Sequence, residues 1–159
     1  IKHCNDLNII VDTSHLNEKG FWDVAKNSIH PLVATHSNAH AICPHTRNLT
    51  DRQLDAIKDT KGMVGVNFAP AFLRKDGKML SDTNIQLIAD HFKYLIEYLG
   101  EDHVGFGSDF DGAMMPKDLK SVLGMSKVTQ LLVDQGFNDN LMHKIYHQNW
   151  LKTIKRILK

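Results

Sequence analysis

The chain has 159 residues, an ordinary length for one domain, and its 42% hydrophobic content can supply a core. Its 19 basic and 18 acidic residues leave a formal net charge of +1, which offers no electrostatic field for binding nucleic acid or a membrane surface. No transmembrane run or signal peptide is visible between its first and last residues. Ten histidines are many for this length and raise the expectation of a metal site.

The two cysteines and the first residues give expectations about the compartment and the boundaries. Cys4 and Cys43 form neither a CxxC pair nor a dense disulfide framework, so we expect free thiols in a reducing, cytoplasmic compartment. Residues 1–8 are typical of the end of a helix and a short turn. Because domain boundaries fall in linkers, we interpret the chain as the later part of a longer protein.

Four apolar runs alternate with helical patterns along the chain. Residues 9–11 (Ile-Ile-Val) predict a strand that is buried on both faces and ends in the polar cluster 12–15 (Asp-Thr-Ser-His). The other predicted elements are a helix over 17–26, a strand over 32–35, a helix from the capping box at 50–53 to Gly62, a strand over 63–68, a loop over 69–80, a helix over 82–99, a strand over 104–108, and helices over 119–135, 138–146 and 149–158.

Every predicted strand ends in a polar residue, and these residues are His15, His36, Asn67 and Asp109. Parallel strands that alternate with helices place such residues at one edge, either around the mouth of a β/α barrel or along an open doubly wound sheet. No glycine-rich phosphate-binding fingerprint follows any of the strands, which gives a nucleotide-binding sheet little support. The sequence therefore favours a barrel.

His15 and His36 are the strongest candidates for metal ligands. They are 21 residues apart, which is too far for two ligands on one helix. Neighbouring parallel strands lie about 5 Å apart, so imidazoles at their ends can reach one metal ion. The alternative is that one or both histidines are structural, and for either residue alone that alternative is the better one.

Other polar residues near the predicted strand ends allow several roles. Asp109 and Asp111 could bind metal, act as a general base, or cap a loop. Arg47 could bind a carboxylate through its planar guanidinium, or it could be a solvated charge. Most of the remaining histidines carry no positional argument and are expected on the surface or in helix packing; these are His40, His45, His91, His103, His143 and His147.

Four segments, in order over nearly the whole chain, resemble the zinc dipeptidase family that includes renal (membrane) dipeptidase. The segments are IIVDTSH, PLVATHSNAHAICPHTRNLTDRQL, GMVGVNF and DHVGFGSDFDG. Members of that family are (β/α)8 barrels that hydrolyse dipeptides with two zinc ions. The resemblance implies that residues 1–159 are the C-terminal half of one barrel domain, with strands five to eight and their helices.

The resemblance also implies roles for four residues of this chain. His15 and His36 correspond to the two histidine ligands of one zinc ion, and Arg47 corresponds to the arginine that binds the substrate carboxylate. Asp109, the first Asp of DFDG, corresponds to the acid/base carboxylate. Neutral imidazoles suit zinc, a bidentate guanidinium suits a peptide carboxylate, and an Asp near water can carry a proton to the leaving amine.

The sequence departs from the family pattern in what it lacks. The family also uses an HxD pair on the first strand, a Glu that bridges the two metals, and a further His that contacts substrate. None of the ten histidines lies in an HxD pair, and no acidic residue lies in the family's Glu-Gly-Gly context. We therefore expect this chain to carry half of a two-zinc active site and to need the N-terminal half of the same protein.

The expected function is metal-dependent hydrolysis of the peptide bond of dipeptides, by a homo-oligomer, with the fragment inactive when alone. One alternative is a non-catalytic barrel fragment or binding protein. A second alternative is a related metal-dependent hydrolase of other amides, such as lactams. No nucleic-acid partner is expected.

Overall fold

A computed structural model describes residues 1–158. The predicted alternation of strands and helices is observed over most of this range. The helices and strands are α1 (Lys2–Asp6), α2 (Glu18–Asn27), β1 (Val33–Ala34), α3 (Asp51–Asp59), β2 (Met63–Val66), α4 (Pro70–Leu73), α5 (Gln86–Leu99), β3 (Val104–Phe106), α6 (Met125–Asp134), α7 (Asp139–His143) and α8 (Asn149–Ile157).

Within residues 1–158, β1, β2 and β3 form one parallel sheet in that order. Val33 pairs with Met63, and Val64 pairs with Val104, so each strand pairs with the next one along the chain. All four residues of β2 are buried, as expected for the central strand of a sheet that is covered on both faces. The α/β class is thereby confirmed, whereas the half-barrel stays a prediction.

The strand predicted over 9–11 is wrong. The chain there makes a single parallel bridge, between Asp12 and Val33. The amide of Thr13 donates to the Val33 carbonyl, but the amide of Thr35 donates to the Asp12 side chain and not to a backbone carbonyl. Ile9 is also 48% exposed, because within residues 1–158 nothing covers its side of the sheet. A side-chain hydrogen bond thus takes the place of a strand ladder.

The helices near the centre of the chain begin and end where their capping residues allow. The predicted capping box is confirmed: Thr50 and Gln53 exchange hydrogen bonds at the start of α3. Helix α5 begins at Gln86 and not at Asp82, and it ends at Gly100, whose φ of +94° favours glycine. The loop predicted over 69–80 contains the short helix α4, which has Pro70 at its first position.

The C-terminal segment has shorter helices than predicted. The helix predicted over 119–135 begins only at Met125, after two 3-10 turns (Lys117–Leu119 and Val122–Gly124). A third 3-10 turn, Glu101–His103, precedes β3. The helix predicted over 138–146 is α7 followed by a π-helix, Lys144–Gln148, which continues into α8.

Residues of α8 cover backbone carbonyls of β3. The buried Asn149 side chain donates to the Val104 carbonyl at 2.8 Å, and Trp150 Nε1 donates to the Phe106 carbonyl at 2.9 Å. The neighbouring hydrogen bond from the Gly107 amide to the Val66 carbonyl faces β2 instead. Since carbonyls alternate in direction along a strand, Asn149 and Trp150 satisfy the carbonyls that point away from β2.

Two further findings concern the surface and the cysteines. Among the helices of residues 1–158, none is long and apolar enough to span a membrane. Within residues 1–158, Cys4 and Cys43 are both free thiols. Cys43 is buried, and its burial raises the pKa of the thiol.

His91, on α5, is fully buried in the core and joins three parts of the chain. Its Nδ1 accepts a hydrogen bond from the Ala39 amide at 3.2 Å, and its Nε2 donates to the Leu73 carbonyl at 3.4 Å. Burial lowers the pKa of His91 to about 4, since a charged imidazole would lose its hydration there. The prediction of a helix-packing role is confirmed for this histidine.

The low pKa of His91 predicts a loss of stability in acid. Between pH 6.5 and about 4 the unfolded chain binds a proton at this histidine and the folded chain does not, so the free energy of unfolding falls as the pH falls. A shift of this size corresponds to about 3 kcal/mol over that range. In denaturant titrations of the full-length protein, we expect His91→Gln to reduce the change in the free energy of unfolding with pH over this range. The same substitution at the exposed His143 should leave the slope unchanged, and equal slopes for all three proteins would contradict the prediction.

Candidate functional site

His15 and His36 meet at the carboxyl edge of the sheet. Their Nε2 atoms are 2.8 Å apart, and the ring centroids are 4.9 Å apart. His36 follows β1 by two residues, and the bridge at Asp12 brings the His15 segment alongside. Two imidazoles whose Nε2 atoms converge in this way can bind one cation together.

Three non-glycine residues near this edge have left-handed backbone conformations. Their φ angles are +68° at His15, +65° at Asp109 and +64° at Asp111. This region is sparsely populated by L-residues, although Asp and His enter it more easily than most. Such positions cluster at functional sites because the surrounding structure holds them there against a cost of about 1–3 kcal/mol each. Two of the three, His15 and Asp109, are candidate site residues, whereas Asn8 and Lys61, which share this conformation, lie in turns elsewhere.

The electrostatics of the edge favour a neutral His36. Burial lowers the pKa of His36, the nearby Arg47 and His15 lower it further, and the carboxylates of Asp109 and Asp12 oppose them. For Asp12, burial raises the pKa of the carboxyl, but hydrogen bonds from Thr35 and Ser14 outweigh it and leave the pKa below its ordinary value. The site therefore combines an ionised Asp12 with a neutral imidazole at His36.

Arg47 lies beside the two histidines. Its Nη2 is 3.5 Å from the His36 carbonyl, and its guanidinium stacks over the Phe72 ring at 5.1 Å from the centroid. Its Nε is buried and has no hydrogen-bond partner within residues 1–158. Burial lowers the pKa of Arg47, while Asp109 and Asp12 raise it. A guanidinium that is fixed by stacking and has an unpaired N–H can bind a carboxylate from outside the chain.

Asp109 is held by Asn67, which follows β2. Asn67 Nδ2 donates to Asp109 Oδ2 at 3.0 Å, and Asn67 Oδ1 accepts from the Ala69 amide at 2.7 Å. The second bond decides the orientation of the amide, so an N–H must face the carboxylate. A Cβ at Gly112 would lie 2.3 Å from Asp109 Oδ1, so only glycine permits this placement of the aspartate. Asn67 thus holds one carboxylate oxygen of Asp109, and Gly112 leaves room for the other.

The structure does not bring every candidate to the site. Asp111 is exposed and lines a separate cleft with Lys120 and Val122. His45 stacks against Phe72, next to Arg47. Among the other histidines, His103 Nδ1 contacts the Gly62 carbonyl, and the half-buried His40 lines a cleft with Leu16, the neighbour of His15. His91 lies in the core, and His143 and His147 are exposed.

The described residues fit a metal ion only in part. Within residues 1–158, no group of three or more His, Cys, Asp or Glu side chains is arranged to hold one. The converging Nε2 atoms of His15 and His36 supply two ligands, and zinc sites in proteins have about four. The pair fits zinc in donor type, but two nitrogens on one tetrahedral zinc ion lie about 3.3 Å apart, so this pair must open by about 0.5 Å on binding. The remaining ligands must be water or groups outside these residues.

Sequence reasoning missed two supporting residues and left a third without a role. Asp12 was noticed only as part of a polar cluster, and Thr35 only as the end of a strand, yet both contact the His36 segment. Asn67 was recognised as a polar strand end without its contact to Asp109. The available signal was position: each follows or ends a strand beside a candidate residue.

Comparisons with known proteins show the family of this chain. The family described as "Membrane dipeptidase (Peptidase family M19)" matches residues 1–159. A metallo peptidase from Rhodobacter sphaeroides, solved with a phosphinate mimic of the dipeptide L-Ala-D-Ala, is 51% identical with a TM-score of 0.96, over 98% of this chain and 44% of that chain. A Klebsiella pneumoniae protein, "Uncharacterized protein in pqqA 5'region", is 50% identical over 99% of this chain and 58% of its own length.

A relative that is named as a dipeptidase lies further away in sequence. "Dipeptidase tcpJ" of Claviceps purpurea is 31% identical over 99% of this chain and 36% of its own length. The chain thus spans about half the length, or less, of the relatives that it matches. The resemblance seen in the four sequence segments is confirmed by the match over the full chain. Residues 1–159 belong to the membrane dipeptidase family, peptidase family M19.

Proposed function

We propose that the protein containing this chain is a zinc-dependent dipeptidase, and that residues 1–159 contribute one half of its active site. The observation that carries the proposal is the convergence of the His15 and His36 Nε2 atoms, 2.8 Å apart, beside Arg47 and Asp109. Family relatives described as dipeptidases and metallo peptidases support the reaction class. When bound, zinc supplies Lewis acidity and lowers the pKa of water.

His15 and His36 would hold one zinc ion through Nε2. Both imidazoles act as neutral ligands, which is consistent with the lowered pKa of His36. Their nitrogens converge on one position, and a zinc ion bound there would move them from 2.8 Å to about 3.3 Å apart. Under this proposal the other ligands, and those of the second zinc, come from the other half of the protein.

Arg47 would bind the carboxylate of the dipeptide. Its stacking on Phe72 limits the freedom of the guanidinium, so less side-chain entropy is lost when substrate binds. A bidentate contact to the terminal carboxylate fixes where the peptide bond lies relative to the histidine pair. Longer peptides place that carboxylate elsewhere, which is how one arginine selects for substrate length.

Asp109 would carry the proton from water to the leaving amine. Asn67 holds one carboxylate oxygen by a hydrogen bond, which leaves the other oxygen to accept and return the proton. A positioned general acid/base contributes about 10²- to 10⁴-fold to the rate. Asp111, which is exposed, has no part in this proposal.

The proposed architecture is the C-terminal half of a (β/α)8 barrel, as a single domain completed by the N-terminal half of the same protein. Three features support it: the parallel order of β1, β2 and β3, the convergence of strand-end residues, and coverage of 44% of the Rhodobacter sphaeroides chain. A homo-oligomeric protein and a reducing compartment remain expectations from the sequence.

A metal-dependent hydrolase of other amides, such as lactams, remains the second candidate. The carboxylate-binding role of Arg47 would serve a lactam that bears a carboxylate equally well. A substrate panel that compares free dipeptides, dipeptide amides and lactams on the full-length protein separates the two. A full-length protein that binds zinc and hydrolyses none of them would favour the non-catalytic alternative.

In the full-length protein, Arg47→Lys should raise KM strongly for free dipeptides, because a point charge replaces a two-pronged contact. Dipeptide amides, which lack the carboxylate, should be poor substrates and little affected by the substitution. Steady-state kinetics on both substrates provides the measurement. Arg52→Lys is the matched control, since Arg52 also stacks on an aromatic ring, that of Trp22, but lies on α3. Equal losses on both substrates would assign Arg47 a structural role.

Asp109→Asn should lower kcat by about 10²-fold or more and leave the metal content unchanged, because the amide cannot carry a proton. Elemental analysis of the purified variant, alongside kinetics, checks both parts. Asp111→Asn, two residues away on the exposed side, should behave as the wild type. Loss of metal from the Asp109 variant would make Asp109 a ligand and would end the proton-transfer role.

Residues 1–159 produced alone should be inactive and should self-associate, because half of the proposed barrel interior would face water. Mixing this chain with the N-terminal half, in the presence of zinc, should restore dipeptide hydrolysis. A mixture in which the C-terminal half carries Asp109→Asn controls for contaminating peptidases. A monodisperse, zinc-loaded and active monomer of residues 1–159 would overturn the half-barrel.

A further inference from the structure

A chain of short hydrogen bonds leads from Asp12 to the ring of His36. Thr35 Oγ1 lies 2.5 Å from Asp12 Oδ2 and 2.7 Å from His36 Nδ1. Asp12 Oδ1 also accepts from the Thr35 amide at 2.9 Å and from the Ser14 amide at 3.0 Å. One carboxylate is therefore tied to both segments that carry the histidine pair.

The chemistry of the three groups fixes the direction of each bond. Asp12 accepts from every partner named here, so its Oδ2 accepts the single hydroxyl proton of Thr35. Once that proton is used, Thr35 Oγ1 can only accept from the neighbouring ring. His36 must then carry its proton on Nδ1 and donate it to Thr35. In a neutral imidazole this leaves the lone pair on Nε2.

The Nε2 lone pair of His36 points to the position shared with His15, 2.8 Å away. If the tautomer were reversed, an N–H would occupy this position and no cation could bind there through His36. The choice of tautomer thus decides whether this ring can serve as a ligand. The choice is made by Thr35 and Asp12, which lie on the far side of the ring.

The backbone at Thr35 has little room to move, which makes the arrangement rigid. A Cβ added at Gly65 would lie 2.0 Å from the Thr35 carbonyl oxygen, and one at Gly107 would lie 2.1 Å from it. The backbones of the two following strands thus pack directly against this residue. Ser14 Oγ accepts from the His36 amide at 3.0 Å and limits the ring's own backbone as well.

We propose that Asp12 and Thr35 are positioning residues that hold His36 as the Nδ1–H tautomer and present its Nε2 lone pair to the metal. The inference rests on the proposed function, in which His36 is a zinc ligand. A carboxylate usually orients a metal-binding histidine directly. Here a threonine hydroxyl stands between them, because Asp12 is three residues before His15 and reaches Thr35 across the bridge to Val33.

The test compares zinc and cobalt affinities of the full-length protein after removal of its metal. Thr35→Val keeps the shape of the side chain and removes the oxygen, and we expect both affinities to fall about 10- to 100-fold. Asp12→Asn should lower both affinities by a similar factor. Thr35→Ser keeps the hydroxyl and should bind both metals nearly as tightly as the wild type. The visible spectrum of bound cobalt should change in Thr35→Val and return in Thr35→Ser.

Thr13→Val is the matched control. Thr13 is a buried threonine next to the bridge, whereas Thr35 is half-buried, and the Thr13 hydroxyl donates to the Val33 carbonyl and not toward a histidine. It should lose stability and keep its metal affinity. If Thr35→Val fails to fold, Thr35→Ser and Asp12→Asn still test the proposal. Of these two, only Asp12→Asn removes the carboxylate that accepts the Thr35 proton, so only it should lower the metal affinity.

The tautomer is read directly in the metal-free protein by ¹⁵N NMR of labelled histidine. We expect Nδ1 of His36 to be protonated in the wild type and the Nε2–H form to grow in Thr35→Val. A wild-type His36 protonated on Nε2, or unchanged metal affinity in Thr35→Val, would overturn the positioning role. If His36→Ala keeps full zinc affinity, the proposed ligand role of His36 fails. This result differs from unchanged affinity in Thr35→Val alone, which overturns only the positioning role of Thr35 and Asp12.

Discussion

The carboxylate of Asp12 is the constraint on which the geometry of the site depends. Within residues 1–158, the first segment of the chain makes only one backbone bridge to the sheet, so a strand ladder cannot set its register. Asp12 sets it instead, by accepting from Ser14 in its own segment and from Thr35 in the next. These donors precede His15 and His36 directly, so the bonds bring the backbones of the two histidines side by side, where their imidazoles meet.

The rigidity of the sheet makes the strained residues at its edge possible. Gly65 and Gly107 allow the strand backbones to approach the Thr35 carbonyl more closely than any side chain would permit. Against this fixed frame, His15 and Asp109 keep left-handed conformations that an unconstrained chain would leave. Loss of the frame would therefore relax both residues, and the two candidate roles would fail together.

The sequence was sufficient for the strand ends but not for the contacts between them. His15 and His36 could be paired because strand-end residues of parallel units share an edge, a rule that depends only on element order. The role of Thr35 could not be read, because hydrogen bonding to His36 Nδ1 depends on rotamers that periodicity does not encode. The strand at 9–11 failed for a related reason: β-branched residues fit a strand, but a strand also needs partners to pair with.

The hydrogen-bond partners of the polar side chains indicate which of them support the framework and which are available to a ligand. Asn67 uses its amide on Asp109 and the Ala69 backbone, and Asp12 accepts several donors from neighbouring residues, so these side chains serve the framework. Arg47 keeps a buried Nε without a partner within residues 1–158, next to imidazole nitrogens that face one another. A buried donor left unpaired costs about 1–3 kcal/mol, a cost that a bound carboxylate would remove. Arg47 Nε thus lies where the proposal places substrate, whereas His30 Nε2, also buried without a partner within residues 1–158, precedes β1 at the other end of that strand.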